Sequence, residues 1–250
     1  MPIETYLTTD GSTTLYDTEL DAHYRSTNGA VREVRHVFID GSRILYHLED
    51  VTALVVLEYG FGGATTFTEL ANLIDARSQE RLITLHYHSV EKRPVHPDLV
   101  AHLPGVGGEL ARSALAQSME DTSRPARVTV SQGSITLTLH LGEWEEIELP
   151  DDLAAHAIFH DPFGPAKNPG GWTREVFAKQ ARHLHPTGRI ATYGAASATR
   201  KAMCHAGLQI ASLPGPGFKR EITTAAHTAE VLLQDARATI IPHTRYDISP

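Results

Sequence analysis

The stretch His160-Asp161-Pro162-Phe163-Gly164-Pro165-Ala166-Lys167-Asn168-Pro169-Gly170-Gly171-Trp172 ends an apolar segment with a carboxylate and then turns the chain sharply. Ala157-Ile158-Phe159 before it reads as a buried strand, and prolines at 162, 165 and 169 with glycines at 164, 170 and 171 forbid its continuation. A carboxylate set there faces a ligand cleft. What matters next is which groups stand opposite Asp161.

Strands and helices alternate on both sides of this turn. Ala53 to Leu57 is an apolar run ending in Glu58, and Ala64 to Ala76 follows with Phe67, Leu70, Ala71 and Ile74 at helical spacing. Leu82 to Val90 reads as a second strand ending in Glu91, Pro97 to Met119 as helical with a break at Pro104-Gly105, and Val128–Val130 with Ile135–Leu141 as a hairpin or successive strands. Beyond the turn, Thr173 to His185 fits a helix capped by Thr173 and closed by Pro186 and Gly188. Arg189 to Tyr193 (strand), Ala195 to Ala206 (helix), Leu208 to Leu213 (strand) and Phe218 to Thr223 (a pairing strand) complete the pattern. The alternation predicts an α/β, Rossmann-like domain with a mostly parallel sheet over residues 51–225. Residues 1–50, with short alternating segments such as Thr13–Tyr16 and Val31–Ile39 broken by Asp10-Gly11, Asn28-Gly29 and Asp40-Gly41, predict a small N-terminal β-hairpin extension. Residues 226–250 form a C-terminal tail in which Ala229 to Ala236 is a candidate helix.

With 250 residues, 41% of them hydrophobic, the chain can bury a substantial core. No window approaches the roughly 20 apolar residues of a membrane helix, and Met1 to Gly11 lacks a basic or apolar leader, so a cytoplasmic protein without a membrane partner is expected. Cys204 is the one cysteine, which excludes an internal disulfide and reads as a core residue. The net charge of −8 is unevenly spread: residues 161–220 carry nine Lys and Arg against Asp161 and Glu175, while an acidic run occupies Glu143 to Asp152. A basic second half is compatible with a nucleic-acid substrate.

Glu58-Tyr59-Gly60-Phe61-Gly62-Gly63-Ala64 lies where an open α/β sheet delivers its first strand into a helix, and its glycines let backbone approach a ligand. A dinucleotide fingerprint wants glycine at the sixth position from Gly60, which is Thr65, so a nicotinamide fits poorly; a tight turn without ligand is the other reading. A carboxylate opening this loop repels phosphate and suits a cation such as S-adenosylmethionine. Glu91 stands where an acid accepts hydrogen bonds from ribose hydroxyls, and Glu143 where one could bind an adenine amino group; each also reads as solvated surface. Glu58, Glu91, Glu143 and Asp161 thus end four successive apolar segments, which an open sheet brings to one carboxyl edge. Fifteen histidines include the pairs His86/His88 and His183/His185 but no third ligand at metal spacing, so no metal is expected.

At this point the residues resemble a known family, the bacterial methyltransferases that complete 5-methylaminomethyl-2-thiouridine at the tRNA wobble position. The family usually reads Asp-Gly-Phe-x-Pro-x-x-Asn-Pro-x-x-Trp where this chain has Asp161 to Trp172. Tyr24-x-Ser26-x-Asn28-Gly29 with Glu33 and Val37-Phe38, Ser89-Val90-Glu91-Lys92, and Lys219-Arg220-Glu221 match in order and spacing. The resemblance implies a class I S-adenosylmethionine-dependent methyltransferase with Asp161 at the reacting amine. It implies cofactor contacts from Glu58, Tyr59, Gly60, Gly62, Gly63, Glu91, Lys92, Glu143, Trp144 and Pro162. It implies substrate or RNA contacts from Phe163, Lys167, Asn168, Trp172, Arg174, Lys219 and Arg220, although a Trp after a turn also reads as buried structure. The partner would be the tRNA anticodon stem-loop, with upstream enzymes supplying the aminomethyl uridine to a stand-alone methyltransferase. Departures from the pattern are Gly-Phe-Gly-Gly-Ala for Gly-Phe-Gly-Thr-Gly, Gly142-Glu143 for Gly-Asp, and Pro162 for glycine. They keep open methylation of another RNA position or a small-molecule amine, and a non-catalytic adaptor.

Overall fold

The computed structural model describes residues 2–78, 81–120, 123–217 and 219–246. At the N-terminus β1 (Ile3–Leu7), β2 (Thr13–Asp17) and β3 (Ala22–His23) form an antiparallel sheet with β2 in the middle. Its first turn closes on Gly11 at φ +80° and on Asp10, whose carboxylate accepts from the Thr8 hydroxyl at 2.7 Å and the Ser12 amide at 3.0 Å.

Val31–Ile39, expected as a strand of a hairpin, is helical. Here α1 (Ala30–Val34) runs directly into a π-helical turn, Arg35–Asp40, and a 3₁₀ segment covers Ile44–Glu49. The branched valines suggest a strand, but burial of Ala30, Glu33, Val34, Val37 and Phe38 recurs every three or four residues, the period of a helix. These residues pack into the same core as the main sheet.

That sheet is built from β4 (Ala53–Tyr59), α2 (Thr65–Ser78), β5 (Thr84–Glu91), α3 (Gly105–Glu120), β6 (Ala126–Gln132), β7 (Ile135–Leu141), β8 (Ala155–His160), α4 (Arg174–Arg182), β9 (Leu184–Thr192), α5 (Ser197–His205), β10 (Gln209–Pro214), β11 (Glu221–Ala226), α6 (Ala229–Leu233) and β12 (Thr239–Ile241). Among the described residues its strand order is β12-β10-β11-β9-β8-β4-β5-β7-β6. The run β9-β8-β4-β5-β7 is parallel, and β6 and β11 flank it antiparallel. β6 and β7 are therefore a hairpin. Phe218 lies outside the described residues, and the strand expected there begins at Glu221. In the tail the helix ends at Leu233, and β12 adds an edge strand beside β10.

Helices cover both faces because the central strands are apolar throughout. Phe67, Leu70 and Ile74 of α2 bury against one face, while Val176 and Phe177 of α4 and Met203 and Cys204 of α5 bury against the other. Burial pushes the Cys204 thiol up to about 11, so it is an inert core residue. Thr173 caps α4 as expected, its hydroxyl accepting from the Val176 amide at 3.4 Å. The chain leaves β4 toward β5 and β7 on one side and returns to β8 on the other. That reversal opens a crevice at the carboxyl ends of β4 and β8, where Tyr59 pairs with His160.

Candidate active site

A cavity of about 860 Å³ occupies this crevice. Loops after β4, β5, β7 and β8 form its floor, and residues of the segment from Leu20 to Thr27 line it from above. Gly60 sits at φ +94°, and a side chain there would place its Cβ 2.7 Å from the Asp161 carbonyl oxygen. At Gly62, with φ +49°, a Cβ would meet the Tyr24 ring at 2.9 Å. The Gly62 amide donates to Glu91 Oε2 at 3.0 Å, and the Arg93 amide donates to Glu91 Oε1 at 2.7 Å, so the acid at the end of β5 is fixed toward the glycine loop. Lys92 and Glu143 form an ion pair at the rim, and Trp144 is held by Lys179, which donates to its carbonyl at 2.6 Å.

Asp161 follows the last residue of β8, and its amide donates to the Tyr59 carbonyl at 3.0 Å. Its side chain is 5% exposed and is ion-paired with Arg25. Arg25 also donates to Thr66 Oγ1 at 2.6 Å and stands 4.0 Å from Glu58 Oε1. The turn behind Asp161 is stiffened by Tyr193, which donates to the Pro162 carbonyl at 2.6 Å, and by Asn168, whose side chain accepts from the Gly171 amide at 3.3 Å. Phe163 faces Tyr24 edge-on at 4.9 Å.

Of the residues expected on the cofactor side, Tyr59, Gly60, Gly62, Gly63, Glu91, Lys92, Glu143, Trp144 and Pro162 line the cavity. Glu58 does not. It lies inside β4 at 0% exposure and turns toward α2, accepting from Ser89 Oγ at 3.1 Å. Burial pushes its carboxyl up to about 8 against the opposing pull of Arg25. The strand runs past Glu58 to Tyr59, so three strand-end acids converge on the cavity rather than four.

On the substrate side, Phe163, Lys167, Asn168 and Lys219 line the cavity, while Trp172, Arg174 and Arg220 do not. Trp172 is 6% exposed; its indole N–H donates to the Phe163 carbonyl at 2.8 Å and its ring packs on His160 and Tyr193. Arg174 and Arg220 are exposed. Lys219 is bound to Glu33 Oε1 at 2.9 Å and lies over the Tyr193 ring at 4.4 Å, so its charge is engaged within the cavity wall. Lining residues that sequence reasoning did not place in the site include Tyr24, Arg25, Glu33 and Tyr193. Tyr24 and Glu33 belong to the matched pattern, but neither occupies a strand end. Nothing in the pattern marks Arg25.

The cavity has the features that S-adenosylmethionine requires: a glycine loop so closely packed that a methyl group at Gly60 would collide with backbone and one at Gly62 with the Tyr24 ring, a fixed strand-end carboxylate, and a second acid at the rim. Among the described residues no group of three or more His, Cys, Asp or Glu converges as a metal-ligand set, and no helix is long and apolar enough to cross a membrane.

An open sheet with its crevice at the β4/β8 reversal and this glycine-and-acid edge defines an S-adenosyl-L-methionine-dependent methyltransferase. Residues 107–228, just under half of the chain, match the model of the S-adenosyl-L-methionine-dependent methyltransferase family. The chain's relatives within the class include the tRNA 5-methylaminomethyl-2-thiouridine biosynthesis bifunctional protein MnmC of Cupriavidus metallidurans, 33% identical over 230 residues, 90% of this chain and 34% of that protein. The protein of the same name from Pseudomonas putida strain GB-1 is 33% identical over 85% of this chain and 33% of its own length. The crystal structure of MNMC2 from Aquifex aeolicus superposes with a TM-score of 0.74 at 25% identity, covering 91% of this chain and 71% of that one. The chain spans about a third of the length of the bifunctional relatives.

Proposed function

We propose that this enzyme methylates the amino group of 5-aminomethyl-2-thiouridine at the tRNA wobble position, giving 5-methylaminomethyl-2-thiouridine. The carrying observation is Asp161, a nearly buried carboxylate that ends β8 beside the glycine loop, in a chain whose relatives are named for that nucleoside.

Bound S-adenosylmethionine supplies an electrophilic methyl group on a sulfonium. Gly60, Gly62 and Gly63 with Tyr59 and Pro162 would hold its aminoacyl end, Glu91 and Lys92 its ribose, and Glu143 with Trp144 its adenine. The remaining work is positioning, because a neutral amine needs no covalent help to attack in line. Asp161 accepts a hydrogen bond from the substrate amine, aligns its lone pair and stabilises the ammonium formed. An ammonium substrate must first lose a proton, so turnover rises with pH until the amine is free.

The Tyr24–Phe163 pair offers an aromatic wall to a base splayed from the anticodon loop. Exposed Lys167, Arg174 and Arg220 supply phosphate contacts on the anticodon stem-loop. Enzymes that aminomethylate the wobble uridine supply the substrate. Mass spectrometry of wobble nucleosides from cells with and without the gene tests the reading, together with methyl transfer by the purified chain to tRNA from the deletion strain. Unchanged nucleosides and no transfer would overturn it.

A further inference from the structure

We propose that Arg25 is a positioning residue for methyl transfer: it grips one oxygen of Asp161 and leaves the other presented to the substrate amine. The inference deepens the proposed function and rests on it. Among the described residues Arg25 is the only side chain bonded to the Asp161 carboxylate.

Arg25 itself is tightly placed. Its amide donates to Thr14 Oγ1 at 2.9 Å, which ties the segment after β3 to β2. The guanidinium is buried, donates to Thr66 Oγ1 at 2.6 Å, stands 4.0 Å from Glu58 Oε1, and lies over the Phe38 ring at 5.2 Å. A planar fork with several fixed donors can meet Asp161, Thr66 and Glu58 at once, whereas a lysine ammonium offers one compact charge. Glu58 has a structural reason here that its position in the strand does not reveal. It is the buried carboxyl group behind the guanidinium, walling Arg25 on its inner side while the Asp161 carboxylate holds it on the cavity side. Held from both sides, the pair restricts the Asp161 side chain at the point where an error of about 1 Å costs orders of magnitude in rate.

The test uses the full chain with tRNA and S-adenosylmethionine. R25A is expected to lose turnover about 100-fold while the KM for tRNA and the calorimetric Kd for the cofactor stay within about threefold. Guanidinium at sub-denaturing concentration should restore turnover to R25A and not to D161A. Turnover of R25A near the wild-type value, or a parallel collapse of turnover, KM and cofactor affinity without rescue, would overturn the proposal. If R25A does not fold, R25K carries the same comparison: a loss confined to turnover supports the role, and wild-type turnover overturns it.

A second readout needs no substrate. Thermal midpoints of R25M, D161N and the double variant should be non-additive, with the double variant less destabilised than the sum of the singles. Additive changes would reject the pairing. Should the wild type transfer no methyl to tRNA while this coupling persists, the functional reading fails and the Arg25–Asp161 geometry stands.

Discussion

A methyl group added at Gly60 would lie 2.7 Å from the carbonyl oxygen of Asp161, closer than any real Cβ contact. The glycine loop after β4 and the acid after β8 are thus in backbone contact, joined also by the Asp161 amide to the Tyr59 carbonyl at 3.0 Å. Gly60→Ala must bear both the clash and a φ of +94°. The expected cost is about 2 kcal/mol or more of stability. The cofactor's Kd should rise at least about tenfold, since the loop can relieve the clash only by moving. Denaturant unfolding and calorimetry check this; an alanine variant with wild-type midpoint and affinity would show that the two loops do not share a wall.

Asp161→Asn keeps the shape of the side chain and removes the charge proposed to stabilise the product ammonium. Turnover is expected to fall by about 10²- to 10⁴-fold. Cofactor affinity should hold, because Glu91 and the glycine loop are untouched. Methyl transfer measured beside cofactor binding separates the two, and near-normal turnover in the Asn variant would remove Asp161 from the mechanism.

The alternation of strands and helices from Ala53 onward was legible because the parallel strands are continuous apolar runs bounded by turn residues. Thr173 was legible as a cap, and Glu91, Glu143 and Asp161 as strand-end acids, since position in an open sheet implies direction. Glu58 was misread by a single residue of strand length: β4 continues to Tyr59, and alternation then turns Glu58 into the core. The segment Val31–Ile39 was misread because β-branched residues carry a strand bias that tertiary packing overrides. Arg25 was invisible, for its acidic partners Glu58 and Asp161 lie 33 and 136 positions away and no local pattern encodes such a contact.

Lys219 and Arg220 are neighbours in sequence with opposite expected behaviour. Lys219→Met strands the buried Glu33, which accepts from Lys219 at 2.9 Å and from the Ser26 amide at 2.9 Å. An expected loss of about 1–3 kcal/mol follows. Arg220 is exposed, so Arg220→Ala should leave stability within about 0.5 kcal/mol. Its loss should weaken tRNA binding and lower the salt slope by about one. Thermal midpoints and binding across a salt series decide the matter; equal midpoints for the two variants would mean that the Glu33–Lys219 pair contributes nothing to the fold.

Stability should peak near neutrality and fall more steeply on the acid side. Burial pushes His88, His140 and His156 down to about 4 and His160 down to about 3, from an ordinary 6.5. Between those values the unfolded chain binds protons that the folded chain excludes, so this contribution is fully present above pH 6.5 and lost as the pH falls toward 4. Glu58 acts in the opposite sense: its carboxyl, raised from 4.5 to about 8, binds a proton in the folded state that the unfolded state has released, so its contribution is lost as the pH rises through that range. Four histidines outweigh one glutamate below pH 6.5, and Glu58 alone governs the gentle decline above it. Thermal midpoints across the range test both arms. Glu58→Gln should flatten the alkaline arm and steepen the acid arm between pH 4.5 and 6.5, where the glutamate opposes the histidines, and replacing the stacked pair His88 and His140 by glutamine should shallow the acid arm only. A wild-type midpoint that rises on acidification from neutrality would mean that these histidines are not held neutral by the fold.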